Sequence, residues 1–202
     1  DNAFLTLLTN RLLPRLWSPN QEPSSKLRIW SIGCQAGDEA LLLLLSLLHA
    51  QQVPVSLCPF TIFATDADSQ AITYARRLAA SHHLDESSSL TPYRERLRAE
   101  WDGLVLPDAW RQALVFAPHN LLTDMPFLRI DLILVHAPLS SFSGAEQVSI
   151  LNRLAYALLP QGFLLLPDDQ GVITPEAALF QRQSASSMPL YQRTSAPVKR
   201  SA

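Results

Sequence analysis

Three carboxylates stand where an α/β chain would bring strand ends together: Asp38 and Glu39 in IGCQAGDEA, and Asp66 in IFATDAD. The first two follow a turn with two glycines, Gly33 and Gly37, where the backbone can turn sharply and come close to a ligand. A pyrophosphate at such a turn wants bare backbone N–H groups and no acid beside them. Two acids repel it and suit a ligand with a positive centre, such as an amino group or a sulfonium. A carboxylate at the end of the next strand, Asp66, can accept both hydroxyls of a ribose. Its distance along the chain from Gly33 exceeds the roughly 20 residues of a compact dinucleotide fingerprint, and a long intervening helix accounts for that. Taken singly, each acid is also a good first-turn or capping residue. On consecutive strand ends they point to a nucleoside-type cofactor with a cationic centre, and S-adenosylmethionine carries a sulfonium, an amino group and a ribose.

These residues need a scaffold that gathers strand ends. The chain alternates apolar runs with helical periods: LRIWSI, then GDEALLLLLSLLHAQQ, then PFTIFAT, then DSQAITYARRLAA with Asp68 as cap. ALVFAPH and IDLILVHA read as two more strands. GAEQVSILNRLAYALLP reads as a helix closed by Pro160, and GFLLLPD as a strand. Before them, residues 3–16 carry apolar side chains near helical period, bent or ended near Pro14. At the end, ALFQRQ and PLYQRT suit an antiparallel hairpin. The fold class that follows is α/β: a doubly wound, mostly parallel sheet with an antiparallel C-terminal hairpin. In such sheets ligands sit outside the carboxyl ends of the strands. The turns GCQAGDE, TDAD and HNLL would then converge on one crevice.

The bulk composition is that of one ordinary domain. The chain has 202 residues, 48% of them hydrophobic and 17% charged, enough to bury a full core. A formal net charge of −2 gives no field to drive it onto nucleic acid or an anionic membrane. The longest apolar run, residues 40–50, is too short to span a bilayer, which takes about 20 residues. Cys34 and Cys58 form neither a metal spacing nor a disulfide framework, and read as free thiols of a reducing, cytoplasmic compartment. No segment resembles a signal peptide. His82, His83 and Asp85 lack a suitably spaced further ligand, so no metal site is expected.

Four ordered blocks carry a resemblance to the CheR-type methyltransferases of bacterial signalling. RIWSIGCQAGDEA is similar to that family's glycine turn, IFATDAD to its A-T-D-x-D strand end, LVFAPHNLLTDMPFLRIDLI to its H-N-L-L segment, and ALLPQGFLLLPDD to its leucine-rich strand. The look is closest to versions fused to sensory modules. The resemblance implies a class I S-adenosylmethionine-dependent methyltransferase, Rossmann-like in fold, over residues 1–202. It would comprise an N-terminal helix and loop (1–25) and a reduced subdomain insertion (82–113), without the family's separate N-terminal helical subdomain. By position, Gly33, Gln35, Ala36, Gly37 and Asp38 would line the methionine half of the cofactor. Asp66 would hold the ribose, and Asn120 and Leu121 would meet the adenine. The activity implied is methyl transfer to glutamate side chains of a chemoreceptor-type protein or of fused signalling domains, leaving S-adenosylhomocysteine.

One segment departs from the pattern. Where the family has C-R-N-x-L-I-Y, this chain reads VHAPLSS, so His136 stands for the Arg and Ser141 for the Tyr that lie beside the methyl group. Methyl transfer to a carboxylate needs no strong base, since a free glutamate has a pKa of about 4.3. It needs alignment and an offset for lost hydration. A guanidinium suits that task, being always charged and bidentate. A histidine with a pKa near 6.5 is mostly neutral in the cytoplasm, and a serine is shorter than a tyrosine. Two functions follow from the same residues: a protein-glutamate O-methyltransferase acting through positions 136 and 141, or a catalytically inactive module that binds S-adenosylmethionine or S-adenosylhomocysteine and serves sensing or docking. A dinucleotide-dependent oxidoreductase is disfavoured by the acids at the turn.

Overall fold

The computed structural model describes residues 6–16, 26–51, 58–80, 108–167, 178–183 and 188–198. Seven strands form one sheet: β1 (Leu27–Ile32), β2 (Phe60–Asp66), β3 (Leu114–Pro118), β4 (Ile130–Val135), β5 (Leu158–Leu165), β6 (Phe180–Arg182) and β7 (Leu190–Arg193). Their order is β3-β2-β1-β4-β5-β7-β6. β1 lies parallel to β2 and β4, β2 to β3, and β4 to β5, while β7 runs antiparallel between β5 and β6. The chain therefore steps outward from β1 to β3 and then returns to the other side of β1. That reversal opens a crevice above the ends of β1 and β4, where parallel sheets bind ligands.

The period-2 alternation of the strands divides the core. Ile29, Ile62 and Leu132 face one layer of helices. That layer holds α1 (Leu13–Leu16), α2 (Asp38–Gln51) and α3 (Ser69–Ala80). Trp30, Ile133 and Val135 face the other layer, where α5 (Gly144–Ala157) buries Ile150, Leu151 and Leu154. α2 buries Leu41, Leu43, Leu44, Leu45 and Leu47 and so is apolar nearly all round, as its leucine run dictates. α5 starts at a capping box: the Ser143 hydroxyl accepts from the Glu146 N–H, and the Glu146 carboxylate accepts from the Ser143 N–H.

From β3 to β4 the chain runs through 119–129 with neither helix nor strand, and aromatic contacts hold it on the sheet. Phe127 stacks on Phe63 at 4.8 Å and meets Trp30 edge-on at 5.3 Å. His119 meets Trp30 edge-on at 5.1 Å, and its Nε2–H donates to Met125 O at 3.1 Å. These offset and T-shaped contacts substitute for helix packing over this part of the sheet.

Several sequence expectations are refined. The first helix carries a π-helical stretch, Leu8–Leu12, ahead of Pro14, and the Leu13 N–H reaches back to Leu8 O; proline offers no N–H to continue the ordinary ladder. α5 ends at Ala157, not at Pro160, because β5 begins at Leu158. A residue before proline favours extended backbone, and the strand absorbs the turn with a left-handed Gln161 (φ 69°) and a register shift against β4. The segment GLVLPDAW reads in sequence as one strand and a turn; its described part, from Asp108, lies in the short helix α4 (Asp108–Arg111). The segment YRERLRAEW (93–101), which reads in sequence as a short charged helix, the residues His82, His83 and Asp85, and the acids Asp168 and Asp169 that end the leucine-rich block lie outside the described residues.

Candidate functional site

Backbone N–H groups tie the four strand ends around the crevice together. After β1, the N–H groups of Gly33 and Cys34 both donate to Thr65 O, at 2.7 and 3.0 Å. The Gln35 N–H donates to Asp66 Oδ2 at 3.0 Å, and the Asp68 N–H to Asp66 Oδ1 at 3.0 Å. From beyond β3, the His119 N–H donates to Asp66 O at 2.9 Å; from beyond β4, the His136 N–H donates to Ile32 O at 2.9 Å. Asp66 is thus the knot of the site. Its carboxylate accepts one bond on each oxygen, and an ionised carboxylate has about four acceptor positions. Capacity for two more donors remains, which is what a ribose diol requires.

The glycines do more than the sequence required of them. Gly33 (φ 76°) and Gly37 (φ 91°) are both left-handed, as a sharp turn demands. A Cβ on Gly33 would lie 2.7 Å from Ala137 Cβ and 2.8 Å from Ala137 N. One on Gly37 would lie 2.8 Å from Ala75 Cβ. The close approach is of chain to chain: the turn after β1 packs against the end of β4 and against α3. Gln35, also left-handed (φ 43°), is exposed at the tip of the turn.

The electrostatics of the turn are acidic. Asp38 and Glu39 occupy the first turn of α2. Glu39's carboxyl is raised above its ordinary value, first by partial loss of hydration and then by Asp38 beside it. Cys34 is buried, and its thiol is pushed up to about 12, first by burial and then by the charge on Asp66. That thiol is no nucleophile. Folding therefore disfavours the charged form of Glu39: this share of stability is greatest below the carboxyl's unfolded pKa and falls as pH rises through its raised folded pKa. Glu39→Gln should raise the melting temperature slightly at pH 7 and leave it unchanged at pH 3, a small effect because the group is largely exposed. Thermal scans at the two pH values check this.

The other expected site residues line the same edge. Asn120 follows β3 by two residues; its Oδ1 accepts from the Leu122 N–H at 2.9 Å, and its own N–H donates to Asp124 Oδ2 at 2.9 Å. Its NH2 end is left to donate. Leu121 packs partly buried on the second core layer. Asp124's carboxyl is held below its usual range, first by the Asn120 N–H and then by the Thr123 hydroxyl. His136, directly after β4, turns its Nε2 to Ser31 Oγ at 3.0 Å, and burial lowers its pKa. Ser141 sits in a short 3-10 turn, Leu139–Ser141, and its hydroxyl donates back to Pro138 O at 2.8 Å.

The structure adds residues that sequence reasoning passed over. Ser31 and Thr65 are fully or almost fully buried polar residues within otherwise apolar strands. Thr65 Oγ1 accepts from Trp30 Nε1 at 2.9 Å. Ala137 is the surface against which Gly33 closes. A lone hydroxyl residue in a buried strand was the available signal, since buried polar groups need partners.

The crevice fits a nucleoside with a cationic tail: residual acceptor capacity on Asp66, acids at the turn, and an amide beyond β3. Among the described residues, no group of three metal-ligating side chains is found.

Comparison with known proteins places this geometry. Residues 1–186 match the family model described as "CheR methyltransferase, SAM binding domain". A 104.1 kDa protein of Rhodobacter capsulatus, named as uncharacterized, is 31% identical over 182 residues, 84% of this chain and 19% of its own length. Chemotaxis protein methyltransferase 1 of Vibrio cholerae is 29% identical over 171 residues, 82% of this chain and 60% of its own. This chain therefore spans about a fifth of the first relative and three fifths of the second. Among solved structures, the DszA carbon methyltransferase superposes with a TM-score of 0.52 at 20% identity, over 82% of this chain and 35% of its own. A TehB-like SAM-dependent methyltransferase from Corynebacterium glutamicum superposes with a TM-score of 0.52 at 11% identity, over 92% and 87%. At these identities the structural likeness speaks for the fold, a class I, Rossmann-like methyltransferase sheet.

Proposed function

Because this chain belongs to the CheR methyltransferase family, as its S-adenosylmethionine-binding domain, we propose that it binds S-adenosylmethionine in the crevice above β1, β2 and β4 and methylates glutamate side chains of a chemoreceptor-type protein or of signalling domains joined to it. The observation that carries this reading is Asp66. It holds the glycine turn through the Gln35 N–H and still has acceptor positions for two sugar hydroxyls. We place the working protein in a reducing, cytoplasmic setting with no nucleic-acid partner. Both cysteines are free thiols. Among the described residues, no helix is long and apolar enough to cross a membrane.

When bound, S-adenosylmethionine supplies a methyl carbon that an ionised carboxylate can take in one displacement, the C–S electron pair leaving on sulfur with no proton to move. The chain's own residues then have three tasks. Asp66 orients the ribose, and Asn120 and Leu121 border the adenine. Gly33, Gln35, Ala36 and Gly37 shape the turn around the methionine half, where Asp38 and Glu39 favour positive charge. His136 and Ser141 would help to place the acceptor carboxylate for that displacement.

A second reading, a module that binds the cofactor or its product without turnover, draws on one observation. His136 and Ser141 both spend hydrogen-bonding groups on the chain itself, at Ser31 and Pro138. The test is calorimetric titration with S-adenosylmethionine and S-adenosylhomocysteine, followed by transfer of labelled methyl to glutamate-bearing receptor-type peptides. Binding with transfer is expected. Binding without transfer would favour the second reading, and no binding would overturn both. The double variant His136→Arg/Ser141→Tyr should raise transfer by about tenfold, the gain from roughly 1.4 kcal/mol of added transition-state stabilisation.

A further inference from the structure

Ser31 is wholly buried one residue before the end of β1, flanked by Trp30 and Ile32. Among the described residues its hydroxyl has one partner, His136 Nε2 at 3.0 Å. Two assignments of the shared proton are possible. If Nε2–H donates to Ser31, the buried serine O–H is left with no acceptor, which costs about 1–3 kcal/mol. If the serine O–H donates to Nε2, both groups are satisfied and the ring proton resides on Nδ1. Among the described residues no partner meets Nδ1, so it is the ring nitrogen left to donate. The backbone holds the ring in place from both sides. The His136 N–H is bonded to Ile32 O, and the next residue, Ala137, is closed against Gly33.

We propose that Ser31 is a positioning residue that locks His136 in the Nδ1–H tautomer, so that a neutral N–H donor faces the methyl acceptor's carboxylate beside the glycine turn. The donor's target rests on the methyltransferase reading; the tautomer lock does not. An uncharged N–H donor orients one carboxylate oxygen. Burial keeps the ring neutral, and Ser31 decides which nitrogen carries the proton.

The test begins with long-range proton–nitrogen correlation spectra of the nitrogen-labelled chain at neutral pH, with the His136 signals assigned by their loss in His136→Gln. The expected pattern is the Nδ1–H tautomer in the wild type and in Ser31→Thr, with a shift toward Nε2–H in Ser31→Ala. An Nε2–H pattern in the wild type overturns the proposal, and so does a pattern that Ser31→Ala leaves unmoved. The second measurement is methyl transfer to the peptides. Ser31→Ala should raise the acceptor KM severalfold, with S-adenosylmethionine affinity by calorimetry within about twofold of wild type. Ser31→Thr should restore the KM. His136→Asn, whose NH2 stands near the Nδ1 position, should retain more transfer than His136→Gln. An unchanged acceptor KM in Ser31→Ala would sink the donor role. A wild type with the Nδ1–H pattern and no transfer at all would instead sink the methyltransferase reading, and the donor role with it, while the tautomer lock stood.

Discussion

Asp66→Ala should weaken S-adenosylmethionine binding by about 1.5–3 kcal/mol, the scale of a lost charge-assisted hydrogen bond, or roughly ten- to 150-fold in dissociation constant. Two losses combine. The ribose hydroxyls lose their acceptor, and the N–H groups of Gln35 and Asp68 lose theirs, so the tip of the glycine turn is held against β2 only through the Gly33 and Cys34 bonds to Thr65 O. Asp66→Asn separates the two. An amide keeps one acceptor oxygen but presents an NH2 where a backbone N–H now donates, so the turn loosens while the side chain's volume is kept. Isothermal titration of both variants reads the affinity, and urea unfolding of the ligand-free chains reads the turn. An Asp66→Ala variant that binds as tightly as wild type would remove the ribose assignment, whatever its stability.

The second large effect is expected at Gly33. Gly33→Ala should destabilise the fold by about 2–6 kcal/mol: roughly 1–3 for a non-glycine residue held at positive φ, and a similar amount for overpacking. The clash is with backbone as well as side chain, since Ala137 N lies 2.8 Å from where the new methyl would sit. A flexible side chain could move aside, but the end of β4 is pinned by the bond from the His136 N–H to Ile32 O. Ala137→Gly in the same chain should recover only part of the loss, because it removes the Cβ contact and leaves both the left-handed φ and the backbone contact. Urea denaturation should show a lower midpoint with an unchanged slope. Full recovery in the double variant would mean that strain at φ contributes nothing.

Much of this protein is local in its chain. Alternating apolar runs and helical periods place all seven strands near their observed positions, because a buried strand and an amphipathic helix each write their period into consecutive side chains. Asp68 announces itself as a cap and proves one, accepting from the Gln70 N–H at 2.8 Å. The acids of α2 fall in its first turn as their spacing requires. The errors also have local causes. α5 and β5 are contiguous, so no turn residue separated the two periods, and Pro160 marked the middle of a strand edge instead of the helix end.

By itself the sequence determined which residues bear charge, that the chain can turn sharply at Gly33 and Gly37, and that strands alternate with helices, since each follows from the types and preferences of a few neighbouring residues. Only the tertiary structure decided what those residues do to one another. The bond from Gln35 to Asp66 joins positions 31 apart, and that between Ser31 and His136 positions 105 apart. Gly33 owes its identity to an alanine at the end of another strand. Such pairings depend on which strands become neighbours and in what register. That is set by burial of the whole sheet between its helices, a cooperative quantity that no short stretch of sequence contains.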